Sequence, residues 1–317
     1  MNWLAAFGNF ARLEWGDHPL TAGRLVYLLK MKFDDGPSVV WYRDVIRRRI
    51  LETPPVRTPG GICEIHVLTS QGDWLNLLWA LKSFYRFSEC RYALCIHDDG
   101  TLDEAARNAL QTAFPDARLI SREEADRRLN PSLQQFPRSS ALRTANTLAL
   151  KVFDFPAFLE ADRMMILDSD VLFFRKPTTL ITTLECSARN ALNRDWRYGY
   201  TFDFDTVAPL LGFELPPLVN SGLGLLHRAT IRLDWIEEFL SLPGILGHSH
   251  QIEQTLIALC CAKFGFDMLP SEYDVHEGPM TAGAPCRHYA GPMRPLMYRE
   301  GVRALAAQGF LNSETHS

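Results

Sequence analysis

The sequence predicts an α/β domain: a mixed, mostly parallel sheet flanked by helices. Two observations carry this. Short strand-like runs alternate with longer amphipathic ones between residues 63 and 167, and a β-α-β-α order implies parallel pairing through helical crossovers. The last of these runs, "RMMIL" at 163–167, is short and apolar, as expected for a buried strand.

The elements follow in order. "CEIHVLTS" at 63–70 reads as a buried strand. Asp73 is positioned to cap a helix over "WLNLLWALKSFYRF", where Trp74, Leu77, Leu78, Leu81 and Tyr85 share a face. "RYALCI" at 91–96 is a second strand, and Asp103 can cap the helix "EAARNALQTAF" that follows it. "ARLI" at 117–120 is a third strand, and Ser121 with Glu124 fits a capping box. One helix is expected over about 140–153, stopped near Pro156, before the apolar strand "RMMIL" at 163–167. "PLVNSGLGLLH" at 217–227 reads as a strand with two glycines. Helices are expected at 230–241 and 251–264, and irregular chain from Pro270 on.

Residues 1–58 stand apart as a helical extension. They hold nine Lys+Arg against six Asp+Glu, with aromatic and basic residues interleaved in "RLVYLLKMKF" and "VVWYRDVIRRRI". Such a stretch can lie on an anionic membrane surface or pack as a flap on the main domain. Pro54, Pro55 and Pro59-Gly60-Gly61 mark a linker. The remaining organisation is a domain over 59–300 and a tail over 301–317.

Composition limits the function. The formal charge is -4 over 317 residues, which argues against a general nucleic-acid binder. Seven scattered cysteines with no C-x-x-C pair suggest a reducing compartment and small buried side chains. The amino terminus lacks the basic start and long apolar core of a signal peptide, and no run is long enough to cross a bilayer. A cytoplasmic protein is expected, with peripheral membrane contact as the alternative for residues 1–58.

Four segments can carry chemistry. Asp168 and Asp170 end the strand "RMMIL", and two carboxylates so placed can hold a hard divalent cation that relieves their mutual repulsion. A second pair, Asp203 and Asp205, follows a more polar, turn-like stretch and is set aside. In "CRHYAGPMRPLMY", His288 is a candidate imidazole ligand that suits Mn²⁺ better than Mg²⁺. Gly291 allows close backbone approach, and Arg294 can grip phosphate oxygens with its planar fork. Asn220 and Ser221 offer short polar groups suited to sugar hydroxyls. Glu253 and Gln254 can contact a sugar or act on an acceptor hydroxyl.

Together the four pieces resemble the glycosyltransferases of the GT-A fold, most closely the family 8 type. The matching residues are Asp168-Ser169-Asp170, then Asn220-Ser221-Gly222, then Glu253-Gln254, then His288, Gly291, Arg294 and Pro295. Lys151 stands where the family has a basic residue on the helix before the Asp-x-Asp strand. The resemblance covers about residues 62–298. Arg294 replaces the usual Lys, Leu296 the usual Trp and Glu253 the usual Asp, and Thr255 stands where a second acidic residue is common.

The resemblance implies a nucleotide-sugar donor, a UDP-sugar, bound with Mn²⁺ or Mg²⁺ on Asp168, Asp170 and His288. Thr69, Ser70 and Asp98 would lie near the base and ribose, and Asp168 would also touch the ribose. Arg294 and Gly291 would meet the diphosphate, and Lys151 and Gln254 the sugar. Transfer would go to a carbohydrate, lipid-linked or protein acceptor, with retention; for inversion, Glu253 would be the general base. Three rivals remain. A haloacid dehalogenase-type phosphatase also uses Asp-x-Asp after a strand, but in "CIHDDGTL" His97 occupies the nucleophile's place. A sugar-nucleotide pyrophosphorylase needs a glycine-rich loop that "LTSQGDW" lacks. A nucleotide-sugar-binding protein without turnover would use the same groups.

Overall fold

The protein is described from a computed structural model covering residues 36–248 and 250–312. The strands are β1 (Cys63–Thr69), β2 (Ala93–Asp98), β3 (Arg118–Ile120), β4 (Arg163–Leu167), β5 (Val171–Phe173), β6 (Asn190–Asn193), β7 (Asn220–His227), β8 (Phe266–Met268) and β9 (Cys286–His288). The longer helices are α1 (Trp74–Ser88), α2 (Glu104–Ala113), α3 (Arg122–Leu133), α4 (Pro137–Ala145), α5 (Leu150–Phe158), α6 (Thr178–Cys186), α7 (Leu233–Phe239) and α8 (Ile252–Phe264).

Seven strands form one sheet in the order β3-β2-β1-β4-β7-β6-β8. β1 to β4 are mutually parallel, β7 runs antiparallel to β4, and β6 runs antiparallel to β7. The mixed α/β architecture expected from the sequence is therefore the observed one. Strand β4 shows why its sequence has no polar alternation. Met165 and Leu167 enter the core beneath α1 and α2, while Met164 and Ile166 enter a second core with Phe155 of α5 and Leu256 of α8. Both faces are covered, which favours apolar residues at all four positions from Met164 to Leu167.

The outer segments close over the first core. In the helical stretch 37–52, Val39 and Ile50 are buried, and the Arg47 carbonyl accepts from Trp79 Nε1 at 2.9 Å. Residues 1–35, which carry much of the expected membrane-facing pattern, lie outside the described residues. Near the carboxyl end, Val302 and Leu305 are buried and Phe310 stacks on Trp79 at 5.5 Å between centroids.

Several local expectations need correction. The helix expected over 140–153 is two helices. Asn146 is extended (φ −135°, ψ 113°), and its Oδ1 accepts from the Leu148 amide at 2.9 Å, an Asx turn that competes with helix continuation. Pro156 lies inside α5 rather than ending it. Asp103 and Ser121 cap α2 and α3 as expected. Asp73 makes no capping hydrogen bond to α1; its Oδ1 instead accepts from Arg294 Nη1 at 2.8 Å. The chain after Pro270 is less irregular than expected, since β9 pairs with β5 there.

Candidate active site

The carboxyl ends of β1 and β4 open on a cleft of about 1050 Å³, where a doubly covered sheet ordinarily binds its ligand. Backbone pairing assembles its floor. The Asp168 amide donates to the Gly222 carbonyl at 2.8 Å, so Asn220-Ser221-Gly222 runs beside the Asp-x-Asp turn. The β5–β9 ladder pairs Val171 with His288, and the Tyr289 amide donates to the Asp170 carbonyl at 2.9 Å. Segments far apart in sequence thus meet at one point.

Asp168, Asp170 and His288 each offer a ligand atom, all within 4.8 Å of one another. His288 Nε2 is 3.1 Å from Asp170 Oδ1 and 3.8 Å from Asp168 Oδ2. Its Nδ1 faces Asn220 Oδ1 at 3.0 Å, and the same Asn220 oxygen accepts from the Gly222 amide. An acceptor on Nδ1 fixes that nitrogen as the protonated one and turns Nε2 toward the carboxylates, as an outer-shell partner does for a metal-binding imidazole. Gly222 is required here. A Cβ on it would fall 2.2 Å from His288 Cε1 and 2.9 Å from Asp168 Oδ2.

Two cations brace the carboxylates. Lys151 Nζ lies 2.8 Å from Asp168 and 3.0 Å from Glu253 Oε1. Arg294 Nη2 lies 2.9 Å from Asp170 Oδ2, and its Nη1 lies 2.8 Å from Asp73 Oδ1. Burial alone would raise the Asp170 proton affinity, but His288 and Arg294 outweigh it and hold the carboxyl well below its ordinary value. Burial would likewise lower His288 and Lys151, yet their carboxylate neighbours raise both. Glu253 goes the other way: burial raises it, and Lys151 offsets this only in part. The cleft holds six carboxyl side chains, Asp73, Asp99, Asp168, Asp170, Asp195 and Glu253, against three permanent cations, Lys151, Arg197 and Arg294, an excess of acidic groups. With two carboxylates and one imidazole converging, its donor set fits a divalent ion of the Mn²⁺ type.

Beside this point, Gln254 spans the cleft. Its Oε1 accepts from Asn220 Nδ2 at 3.2 Å and the Ser221 amide at 3.3 Å, and its Nε2 donates to the Gly199 carbonyl at 3.2 Å. Thr69, Ser70 and Gly291 also line the cleft. Asp98 does not. It is buried, accepts from the Gly100 amide and pairs with Arg107 at 2.5 Å, and it is Asp99 that faces the cleft. Asp203, of the discounted pair, caps a short helix through the Thr206 amide.

The sequence reading missed Asp73, Asp195, Arg197, Gly199, His248 and His250, all of which line the cleft. Asp195 accepts from Asn220 Nδ2 at 2.9 Å and so belongs to the same network. It follows β6, a four-residue strand too short to announce itself; an acidic residue just past a strand end was the available signal.

No family model matches the chain, and no curated protein matches its sequence. Solved structures do match. The galactosyltransferase LgtC, in complex with donor and acceptor sugar analogues, aligns over 80% of this chain and 98% of its own, with a TM-score of 0.53 and 14% identity. Mouse xyloside xylosyltransferase 1 aligns over 71% and 97%, with a TM-score of 0.49 and 13% identity. The glycosyltransferase GlyE of Streptococcus pneumoniae TIGR4 aligns over 80% and 65%, at 0.47 and 12%. At such identities the likeness, carried by the first of these, concerns the fold. This chain has the GT-A glycosyltransferase fold.

Proposed function

We propose that this protein is a metal-dependent glycosyltransferase of the family 8 type, moving a sugar from a UDP-sugar to an acceptor hydroxyl with retention. The observation that supports this best is the meeting of Asp168, Asp170 and His288 at the end of β4, inside a cleft large enough for a nucleotide sugar. Breaking the bond between sugar and phosphate leaves extra negative charge on the diphosphate, and a divalent cation on these three residues supplies a Lewis acid there.

The chain's own groups do the rest. Asn220 holds His288 in the tautomer that presents Nε2. Arg294 adds a preorganised positive charge beside Asp170, aimed at phosphate oxygens. Gly291 leaves room for the diphosphate to approach the backbone. Lys151 and Gln254 orient the donor sugar, and positioning by itself lowers the barrier. Thr69 and Ser70, at the end of β1, fall to the base and ribose. Of the two readings of residues 1–58, a flap packed on the domain is supported by Val39 and Ile50, buried in its core; the alternative, peripheral contact with anionic membrane, predicts loss of liposome binding at low salt when these residues are deleted. Among the described residues no helix is long and apolar enough to cross a membrane.

Thermal unfolding with a panel of nucleoside diphosphates and nucleotide sugars, in Mn²⁺ and in EDTA, tests the main reading. A ligand at 100 times its dissociation constant stabilises by about 2.7 kcal/mol. The expected result is a Mn²⁺-dependent shift with UDP, and release of UDP from one UDP-sugar. A shift without any turnover would make the protein a binder only, and no shift with any nucleotide would overturn the proposal.

A further inference from the structure

We propose that His66, Cys95 and His97 form a second metal site, buried and apart from the cleft residues, that holds a zinc-type divalent ion. The parallel register pairs His66 of β1 with Cys95 of β2, and His97 follows two residues on. A period of two puts Cys95 and His97 on one face of the sheet, and pairing puts His66 beside them.

The three donor atoms converge. His66 Nδ1 is 3.1 Å from His97 Nε2, and Cys95 Sγ is 3.3 Å from the same nitrogen. All three lie within 4.8 Å of one another. A tetrahedral zinc ion with ordinary bond lengths to nitrogen and sulfur spaces its ligand atoms about 3.3–3.6 Å apart. The two distances at His97 Nε2 therefore need adjustments of only a few tenths of an ångström, and the Cys95–His66 separation lies within the 4.8 Å limit.

The surroundings match a metal site in a further respect. Glu64 Oε2 lies 3.0 Å from His66 Nε2, so that nitrogen carries the proton and Nδ1 presents its lone pair to the cluster. Glu64 is itself fixed by Arg118 at 2.7 Å and by the amides of Glu160 and Ala161. A carboxylate behind a histidine is the usual outer-shell arrangement of zinc ligands. His97 Nδ1, by contrast, is buried without a hydrogen-bond partner.

The chemistry of the three groups supports an ion. Each is at most 1% exposed, and Phe155 and Phe158 lie 4.7 and 5.7 Å from the His97 ring centroid. In the metal-free cluster the donors turn on one another, His66 Nδ1 and Cys95 Sγ both lying against His97 Nε2. A bound divalent ion would make Cys95 a thiolate, losing its proton to solvent; the Glu64 carboxylate behind His66 adds a second negative charge, which it shares with Arg118. Two nitrogens and a sulfur favour zinc over Mn²⁺ or Mg²⁺, the reverse of the preference at Asp168 and Asp170. Closed in by aromatic rings, the ion would enter as the chain folds and exchange slowly.

The test uses full-length protein expressed with added zinc, then dialysed against EDTA to strip accessible ions. Elemental analysis should find roughly one zinc per chain, retained in Asp170→Asn and lost in Cys95→Ala. Protein produced with cobalt in place of zinc should show a thiolate-to-cobalt charge-transfer band that Cys95→Ala removes. Wild-type protein with neither retained zinc nor that band would overturn the proposal and leave the cluster a hydrogen-bonded ladder. The wild-type spectrum decides the matter even where Cys95→Ala fails to fold.

Discussion

Arg294 ties Asp170 to Asp73: one guanidinium nitrogen lies 2.9 Å from the first carboxylate and another 2.8 Å from the second. The residue closing the H-x-x-G-x-x-R segment therefore bridges the end of β4 and the start of α1, two walls of the cleft. Asp73 makes no capping hydrogen bond to its helix. The planar fork makes this double grip possible, and an ammonium would serve one carboxylate well. If Arg294 also meets the diphosphate, Arg294→Ala should raise the KM for the nucleotide sugar and lower kcat/KM by about 100-fold. Arg294→Lys should recover much of kcat/KM while leaving Asp73 unpaired. Steady-state kinetics on both variants checks this, and an unaltered KM in Arg294→Ala would remove the residue from the donor site.

That bridge also marks the limit of what the sequence discloses. The apolar run of β4 was legible because apolar side chains cover both of its faces, whereas β1 keeps Glu64 and His66 buried by pairing them with each other. Asp168, Asp170, Asn220 and His288 were legible because each sits on or beside a recognisable strand or motif. β5, β6, β8 and β9 were not: three or four residues show no periodicity, and they lack a following helix cap such as Ser121, which set off the equally short β3. The family resemblance put His288 with Asp170, but the residues by themselves did not; the β5–β9 ladder is what brings them together. Asp73 was misread for a related reason: its local role as a cap was evident, while its partner stands 221 residues away. Asp98 was assigned to the base and ribose by the family resemblance, but it is buried against Arg107 and the next residue lines the cleft instead.

Asp170 is the carboxylate on which most depends. It is 4% exposed and is held ionised by His288 and Arg294. Asp170→Asn keeps the shape and removes a charged ligand. Turnover should fall by about 10²–10³-fold, and the Mn²⁺-dependent part of the nucleotide-induced thermal shift should disappear. Circular dichroism should show the fold intact. Full Mn²⁺-dependent activity in this variant would sink the metal assignment.

Lys82 gives a pH dependence independent of the cleft. Its amine is buried against the Thr53 and Pro54 carbonyls and the Thr53 hydroxyl, the last at 2.6 Å, and burial lowers its pKa to about 8 from 10.5. Below pH 8 the amine is protonated in both folded and unfolded chains. Between pH 8 and 10.5 the folded state releases the proton first, so the unfolded state binds more protons and stability rises with pH. Wild type should therefore gain on Lys82→Met across that window, by at most about 3 kcal/mol. Urea unfolding of both proteins at stepped pH measures the difference, and a constant difference would show that the amine stays charged.

Two glycines separate the metal arm of the site from its sugar arm. A Cβ at Gly222 would strike the His288 ring at 2.2 Å and approach Asp168 Oδ2 at 2.9 Å. His288 is buried and cannot swing aside, so Gly222→Ala must displace a proposed ligand, with about 1–3 kcal/mol of overpacking. A Cβ at Gly199 would instead strike Gln254 Nε2 at 2.2 Å, the far end of a flexible side chain that can rotate away. That rotation breaks the bonds of Gln254 to Gly199, Asn220 and Ser221 but leaves Asp168, Asp170 and His288 in place. Gly222→Ala should lose the Mn²⁺-dependent thermal shift together with turnover. Gly199→Ala should keep the shift and lose turnover by about 10-fold or more, since only the orientation of the sugar is disturbed. If Gly199→Ala also abolished the Mn²⁺ response, Gln254 would belong to the support of the metal ligands, and its assignment to the donor sugar would fail.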